Sequence, residues 1–301
     1  MTIIKRRAIW YLFSAVIIAL SIGALATFGL KQGIDFTGGT MLSVRFENRP
    51  ETTEAEKALG VFDLSAITIQ PAGEKDLIFR FKTIDEDTHE KILQTLESTF
   101  GSATELEYNA IGPVVGEELR HKSINSLVII FLLIMAFIAW TFRRVSAPVK
   151  SWKYGAIVMA TAFHDVILPV GLFAVLGKYM NVEIGTPFIA AILTIMGYSI
   201  NDTIVVLDRV RENLQKATGT FEEIVEKSVN QTLVRSLNTS LTTVLSLVAV
   251  YLFGGESIKY FALALIVGIV TGTYSSIFIA SPLLVDWNRW TRRNAAAKGV
   301  K

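Results

Sequence analysis

The chain of 301 residues contains no cysteine. This absence excludes a disulfide framework, a thiol nucleophile and a thiolate metal site. The apolar segments also lack the nucleophile–base pair or the metal-ligand cluster that a membrane-embedded hydrolase needs. The glycine-rich run at 33–40 has no Gly-Lys-Ser/Thr ending, which excludes a nucleotide-binding P-loop. We therefore expect no enzymatic activity, no catalytic residue, no metal and no cofactor.

Long apolar blocks dominate the rest of the sequence. Hydrophobic residues make up 51% of the chain and the mean hydropathy is +0.46. The apolar residues gather in blocks of about 20 residues, the length that crosses the hydrocarbon of a bilayer as a helix. The sequence predicts an α-helical polytopic membrane protein with six transmembrane helices, at about 9–30, 124–142, 154–177, 186–207, 236–254 and 259–285.

Basic residues alternate with the apolar blocks in a way that predicts the orientation. Four clusters flank the spans on one side: Lys5, Arg6 and Arg7; Arg143, Arg144, Lys150 and Lys153; Arg209, Arg211, Lys216, Lys227 and Arg235; and Arg289, Arg292, Arg293, Lys298 and Lys301. The short loops on the other side hold only Lys178 and Lys259. The positive-inside rule then places both termini in the cytoplasm, with 1–30 as N-terminus and first helix and 286–301 as a basic tail. Since each cluster flanks a span, we expect no binding of nucleic acid.

A polar segment at 31–123 separates the first two spans and is predicted to fold outside the cytoplasm. Alternating residues indicate strands at 41–47, 66–70, 76–82 and 104–110, and helical patterns occupy 51–59 and 85–100, where Gly101 ends the second helix. The order βαββαβ predicts a small α+β domain of ferredoxin-like type.

The remainder, 124–285, holds the other five helices and a predicted cytoplasmic loop at 208–235. Thr220 and Glu223 form a capping-box pattern, and apolar residues follow at helical spacing. This pattern fits two structures equally: an amphipathic helix on the membrane surface, or an ordinary connector between two spans.

An aspartate inside the fourth apolar block is the most informative candidate residue. A charge near the bilayer centre costs about 2.5–3.5 kcal/mol on insertion scales, so Asp202 is a hypothetical functional site. Asp202 is expected to carry a proton, and the neighbouring Asn201 can hydrogen-bond either the aspartate or a water. The competing interpretation is a neutral, hydrogen-bonded aspartate that holds helices together.

Three further polar residues belong to the same hypothesis. Arg235 opens the fifth span at a depth similar to that of Asp202, where it either partners the aspartate or reaches to the membrane surface. His164 and Asp165 lie in the middle of the third span and form either a proton relay or a structural pair.

Small residues recur every fourth position in the sixth span. Ala264, Gly268, Gly272, Ser276 and Ala280 form a ridge that includes a GxxxG motif. Such a ridge allows close helix packing, either within this chain or against a partner.

The motifs in order resemble those of the protein-export membrane proteins of the SecD/SecF family. They are Gly33-Ile-Asp-Phe-Thr-Gly-Gly-Thr40, Gly112-Pro-Val-Val-Gly116, His164-Asp-Val166, Gly197-Tyr-Ser-Ile-Asn-Asp202, Asp208-Arg-Val-Arg-Glu-Asn213, Leu233-Val-Arg-Ser-Leu-Asn-Thr239 and Tyr251-Leu-Phe-Gly-Gly255. The first motif supplies the structural residues Gly33, Asp35, Phe36, Gly38 and Gly39, and we interpret Gly38-Gly39 as a turn that leads into the first strand. The fourth and fifth motifs and the single short external domain resemble the SecF branch.

The resemblance implies a fold related to the resistance–nodulation–division transporters and a place in the bacterial inner membrane. It implies a heterodimer with SecD, association with the SecYEG channel and with a translocating polypeptide, contact with membrane lipid, and use of the proton motive force. It also implies that Arg235 partners Asp202 in the proton path. The alternative function is a stand-alone proton-coupled exporter of the same superfamily, which would need a larger external domain with a cleft.

Overall fold

The computed structural model describes residues 2–64, 67–141, 149, 151–216 and 218–297. Some residues used in the predictions lie outside the described residues, namely Ala66, Arg143, Arg144, Lys150, Lys298 and Lys301. The chain divides into two compact units. The helical unit comprises Met1–Leu30, Leu127–Val182 and Pro187–Lys301, and the sheet unit comprises Lys31–Ser126 and Glu183–Thr186.

The elements follow one another from a short 3₁₀ turn at Ile4–Arg6. They are α1 (Arg7–Phe28), α2 (Ile34–Thr37), β1 (Gly39–Phe46), α3 (Thr52–Leu59), β2 (Thr68–Ala72), β3 (Asp76–Phe81), α4 (Glu86–Phe100), β4 (Ala103–Ile111), α5 (Pro113–Thr141), α6 (Ser151–Met180), α7 (Thr186–Lys216), α8 (Phe221–Phe253), α9 (Glu256–Ser275) and α10 (Ser281–Ala297). A π-helical segment, Ser276–Ala280, joins α9 to α10.

Six helical segments in the described ranges are long and apolar enough to cross a membrane, which confirms the predicted number of spans. They are α1, α5, α6, α7, α8 and the run from α9 through α10. The helices extend beyond the apolar blocks: α7 continues to Lys216, and α8 begins at Phe221. The protein is therefore a multi-pass membrane protein whose helices are longer than its apolar blocks.

The predicted loop between the fourth and fifth spans is mostly helical. Thr220 and Glu223 form the predicted capping box at the start of α8, which is confirmed. Ile224, Val225 and Val229 are buried in the core of the helical unit. The apolar face that suggested a membrane-surface helix thus packs inside the protein, and the segment is a connector continuous with the fifth span.

The sheet unit contains a four-stranded antiparallel sheet in the order β2-β3-β1-β4. The predicted strands and helices are present in the predicted order, with bounds shifted by one or two residues. Alternate residues of β1 and β3 point to one face, where Leu42 pairs with Phe79 in register. Pro71 lies in β2, at the edge of the sheet, where a missing N–H does not interrupt a ladder.

One hydrophobic core holds this unit together. Its buried side chains come from the inward face of the sheet and from α3 and α4: Leu42, Val44, Phe46, Leu77, Phe79, Phe81, Ala55, Leu59, Ile92 and Leu96. Fully burying one such large side chain contributes about 1.5–3 kcal/mol. Gly101, with φ of 83°, ends α4 as the sequence predicts.

A buried histidine joins α4 to β4. His89 Nδ1 lies 3.0 Å from Glu86 Oε1, and Nε2 lies 2.7 Å from Glu105 Oε2. The ring stacks on Tyr108 at 3.9 Å between centroids. Burial alone would lower the pKa of His89, but the hydrogen bonds and charges of Glu86 and Glu105 outweigh it and raise the pKa above its ordinary value.

Candidate functional site

Asp202 lies on α7 and is almost completely buried, at 8% exposure. Its Oδ1 accepts a hydrogen bond from Ser236 Oγ of α8 at 2.6 Å. Its Oδ2 accepts one from Ser276 Oγ, at the start of the π-helical segment, at 2.5 Å. The carboxyl group therefore connects three spans. Two hydroxyl donors satisfy the ionised form, and a protonated carboxyl group can itself donate to either serine.

A second carboxyl group, that of Asp165 on α6, is fully buried. Its Oδ1 lies 2.7 Å from Nδ1 of His164. Its Oδ2 accepts hydrogen bonds from Ser199 Oγ at 2.5 Å and from Ser275 Oγ at 2.6 Å. Buried charges are retained in proteins only with such partners.

Two adjacent serines of the last span connect the carboxyl groups. Ser275 bonds Asp165 and Ser276 bonds Asp202. Consecutive helical residues point about 100° apart at 3.6 residues per turn, which explains why neighbours reach two different helices. The π-helical segment starts at Ser276. Single π turns inside α-helices are rare and are frequent at functional sites. We call Asp165, Asp202, Ser275 and Ser276 the carboxyl–serine cluster.

The cluster extends to the first span through the imidazole of His164. His164 Nε2 lies 3.2 Å from Ser14 Oγ, and Ser14 Oγ lies 3.2 Å from the hydroxyl of Tyr274, which donates to the carbonyl of Trp10 at 3.0 Å. Ser14 has one hydroxyl hydrogen, which it can give either to Nε2 of a neutral imidazole or to Tyr274 when Nε2 carries a proton. The geometry is compatible with both protonation states of His164.

A second set of hydroxyl groups connects α7, α8 and α9. Tyr198 donates to Ser240 Oγ at 3.1 Å, and Ser240 shares a short hydrogen bond with Thr273. Tyr198 and Ser199 precede Asp202 by about one turn of α7, but they bond Ser240 and Asp165 and not Asp202.

Among the contacts of the described residues, neither Arg235 nor Asn201 forms a direct hydrogen bond or ion pair with Asp202. Both side chains are exposed in the isolated chain. Among the ion pairs of the described residues, none joins Arg235 to Asp202. Arg235 precedes Ser236, the donor to Asp202, and it lines a cleft of about 340 Å³. The other lining residues are Val205, Asp208, Arg209, Glu212, Gln231 and Thr232.

The small-residue ridge of the sixth span packs against α7 of the same chain. A Cβ atom at Gly268 would lie 2.3 Å from side-chain atoms of Ile195, and one at Gly272 would lie 3.2 Å from Ser199 Cβ. Ala264 and Ala280 are fully buried. The close approach brings Ser275 and Ser276 within hydrogen-bonding distance of the carboxyl groups, and Ser276 acts as a donor in addition to being small.

The glycine-rich motif lies in the sheet unit, where its backbone packs tightly. Gly38 and Gly39 have φ of 73° and 130°, which only glycine adopts readily. A Cβ atom at Gly38 would lie 2.6 Å from Pro113 Cα, and one at Gly116 would lie 2.7 Å from the nitrogen of Gly38. The glycines of the two motifs thus allow β1 and α5 to start side by side. Phe36 of the same motif is buried.

Sequence reasoning singled out Ser276 only as a small residue of the ridge, and it did not single out Ser236, Ser240 or Thr273. Ser236 and Ser240 are four residues apart on α8, and Thr273 and Ser276 are three apart on the last span. This spacing places each pair on one helix face. Hydroxyl groups repeated on one face of an otherwise apolar span are the signal that indicates such a cluster.

Comparison with known proteins relates the whole chain to one family. The family described as protein export membrane protein SecD/SecF, C-terminal, matches residues 91–290, and the SecD/SecF GG motif matches residues 23–48. The protein translocase subunit SecF of Thermobaculum terrenum is 43% identical over 95% of this chain and 93% of its own length. The SecF of Sebaldella termitidis is 37% identical over 99% of this chain and 96% of its own length.

Two solved structures of SecDF are similar in fold. The crystal structure of SecDF from Thermus thermophilus, described as a translocon-associated membrane protein, matches 96% of this chain with 32% identity and a TM-score of 0.84. SecDF in a super-membrane-facing form matches 99% of the chain with a TM-score of 0.69. The chain spans 39% of the first SecDF chain and 40% of the second.

Proposed function

The chain belongs to the SecD/SecF family of protein-export membrane proteins, and we propose that it is the SecF-type accessory subunit of a bacterial Sec export machinery. In this proposal it lies in the inner membrane with both termini cytoplasmic and residues 31–123 periplasmic. It works with SecD beside the SecYEG channel and uses the proton motive force to promote late steps of polypeptide translocation. Its 43% identity to a protein translocase subunit SecF over nearly the whole chain supports the assignment.

The observation that carries the proton-dependent part is the buried Asp202, bonded by serines of two neighbouring helices. Protonation changes what each serine can do: the ionised carboxylate accepts from both, whereas the neutral group donates one hydrogen bond. One proton that crosses 100 mV provides about 2.3 kcal/mol, which changes a two-state equilibrium about fiftyfold. Proton transfer at Asp202 is thus sufficient to change how α7, α8 and the last span pack.

We assign the remaining residues to a path around Asp202. The cleft that Arg235 lines gives water access from the cytoplasmic end, and Arg235 acts on Asp202 through its neighbour Ser236 and through its charge. Asn201 contributes an exposed amide on the same helix. His164 and Asp165 form a second proton-accepting centre, joined to the first by Ser275 and Ser276.

Exposed polar side chains on the helical unit are the basis for proposing a partner protein in the membrane. Exposed amide and hydroxyl side chains lie along α7 and α8: Asn201, Asn238, Thr239, Thr242 and Ser246. The threonines and the serine bond carbonyl groups of their own helix, but exposed amides in hydrocarbon are costly. We propose that SecD covers this face and that lipid covers the apolar outer faces of α1 and α5.

For the sheet unit we propose a ferredoxin-like fold. The element order βαββαβ and the strand order β2-β3-β1-β4 support it. In the periplasm this unit is the part that acts on the translocating polypeptide.

The test of this function is Asp202→Asn, a variant of the same shape that cannot ionise. In proteoliposomes with SecD and SecYEG, the translocation of a precursor is followed after the ATP-driven stage, with and without a proton gradient. We expect the variant to bind SecD one-to-one and to lose the gradient-dependent enhancement. Asp63→Asn, at an exposed position of the sheet unit, is the matched control and retains it. Equal enhancement in both variants would exclude Asp202 as the proton carrier.

A further inference from the structure

Inside the sheet unit, backbone hydrogen bonds join Lys31 and Gly33 to Ile184, in the loop that leads into the fourth span. We call this group of contacts the clasp. Ile184 donates its N–H to the carbonyl of Lys31 at 2.8 Å, and Gly33 donates its N–H to the carbonyl of Ile184 at 2.9 Å. Gln32 and Ile184 form a parallel β-bridge. The segment that opens the glycine-rich motif is therefore hydrogen-bonded to the residues just before α7.

A side chain completes the clasp at the first residue of α7. Asp35 Oδ2 accepts the backbone N–H of Thr186 at 2.7 Å. The first N–H groups of a helix have no intrahelical partner, and a carboxylate is stabilising there because of the helix dipole. Asp35 is 151 residues away in sequence, so it caps α7 as a tertiary contact and not as a local N-cap.

Glutamate 183 attaches the same loop to the sheet. Glu183 Oε2 lies 3.0 Å from Arg80 Nε of β3, and Oε1 lies 3.5 Å from Lys31 Nζ. The side chains of Arg80 and Glu183 are largely buried, at 17% and 14% exposure. Ion pairs with restricted access to water are screened less by salt than exposed ones.

The glycines of the clasp leave room for these contacts. A Cβ atom at Gly185 would lie 2.5 Å from Asp35 Oδ2, and one at Gly33 would lie 3.3 Å from Glu183 Oε2. A larger residue at Gly185 would displace the carboxylate of Asp35 from Thr186. The motif thus has a second role besides starting β1.

The helix that the clasp holds is the one that carries Asp202. α7 runs without a break from Thr186 to Lys216, so Asp202 lies 16 residues from the clasp along one helix. At 1.5 Å per residue the separation is about 24 Å. A continuous helix transmits a shift or rotation from one end to the other.

We propose that Asp35 is a positioning residue that couples α7 to the periplasmic sheet unit, so that a change in the charge of Asp202 moves this unit. The inference rests on the proposed proton-dependent function. It assigns to the glycine-rich motif a mechanical role in transmitting the change from the membrane to the periplasm.

The experiment measures movement of the sheet unit and uses the absence of cysteine in the chain. Cysteines replace two exposed residues, Ser98 of the sheet unit and Gln215 of the helical unit, and carry spin labels. The distance distribution between the labels is measured in the complex with a cysteine-free SecD in lipid nanodiscs. It is compared for the otherwise unchanged protein, Asp202→Asn, Asp35→Ala and the double variant.

We expect Asp202→Asn to shift the distance distribution when Asp35 is present and to leave it unchanged in the Asp35→Ala background. Asp35→Asn keeps an oxygen that accepts the N–H of Thr186 and retains part of the shift. Gly185→Ala, which displaces Asp35, reproduces the loss while leaving Asp35 in place. Glu90→Ala, an exposed change on α4, is the control and retains the full shift.

The outcomes separate the two proposals. An equal shift with and without Asp35 overturns the coupling role and leaves the proton function intact. The absence of a shift in both backgrounds overturns the coupling role together with the proton-driven movement. Circular dichroism and retention of SecD in each variant distinguish either result from loss of folding.

Discussion

Ser276 donates its hydroxyl hydrogen to Asp202 over 2.5 Å, from the position at which the last span changes to π-helical geometry. Ser276→Ala removes one of the two donors of an ionised Asp202. A hydrogen bond to a charged group contributes about 1.5–3 kcal/mol, so we expect the proton-dependent enhancement of translocation to fall about tenfold or more.

The measurement is the translocation rate in proteoliposomes at several values of the proton gradient. Thr271→Ala is the matched control, since Thr271 lies on the same helix and bonds the carbonyl of Gly268 in its own helix. An unchanged rate for Ser276→Ala would show that the hydroxyl has no part in proton handling.

Asp165 is expected to matter more for stability than Asp202. Asp165→Leu removes the shared acceptor of His164, Ser199 and Ser275, and a buried polar group left without a partner costs about 1–3 kcal/mol. Ser275 keeps its bond to the carbonyl of Gly272. Asp202→Leu removes the acceptor of only two serines, and one of them, Ser276, also bonds the carbonyl of Thr273. Thermal unfolding in detergent should therefore show a lower midpoint for Asp165→Leu. The reverse order would contradict the description of Asp165 as the more connected group.

The contact of Gly268 with Ile195 predicts a compensating pair of substitutions. Gly268→Ala places a Cβ atom 2.3 Å from the Ile195 side chain, and such overpacking costs about 1–3 kcal/mol. Ile195→Ala in the same chain creates room, so the double variant should be more stable than the sum of the single effects predicts.

The control for this pair is Gly197→Ala on α7, where no atom lies within 4 Å of an added Cβ. Alanine in place of glycine in an open helical position is stabilising by about 0.8–1 kcal/mol. The four variants and the unsubstituted protein are compared by thermal unfolding in detergent. Strict additivity of the Gly268 and Ile195 changes would mean that the two residues do not touch.

The stability of the sheet unit is expected to decrease with rising pH because of His89. The pKa of His89 is higher in the folded protein than its ordinary value of 6.5, owing to Glu86 and Glu105. The stabilisation is therefore complete below 6.5 and is lost as the pH rises through the folded-state pKa. Amide hydrogen exchange of α4, corrected for the intrinsic rate, should be faster at the upper end of this window.

Substitution distinguishes His89 from the other histidines. His89→Gln should remove the pH dependence of exchange in α4. His121→Gln should leave the pH dependence of exchange unchanged, because the side chain of His121 is exposed and comes no closer than 3.9 Å to Glu117. A pH dependence that persists in His89→Gln would assign the effect to another group.

Features set by local pattern were predictable from the sequence. Apolar blocks of membrane-spanning length gave the six spans, and alternation gave the strands that carry Leu42 and Phe79. Asp202 stood out because a carboxyl group in an apolar helix is costly whatever surrounds it. The end of α4 at Gly101 and the capping box at Thr220 follow from short-range chemistry.

Features set by tertiary contact were not predictable in this way. Ser276 looked like one member of a small-residue ridge, since spacing shows which residues share a face but not what the face meets. Adjacent helical residues point about 100° apart, so adjacency to Asp202 does not show what the side chain of Asn201 meets. The contact of Asp35 with Thr186 joins residues far apart in sequence, and no periodicity indicates such a pair.

Because α8 is one unbroken helix, a small tilt moves its ends by a larger distance. Its 33 residues extend for about 50 Å at 1.5 Å each, well beyond the roughly 30 Å of hydrocarbon. Ser236, the donor to Asp202, lies near the middle of this rod, and the capped end at Phe221 lies 15 residues away. A tilt of about 10° around Ser236 would move that end by about 4 Å, so a small rearrangement at the carboxyl group becomes a larger displacement at the far end of the helix.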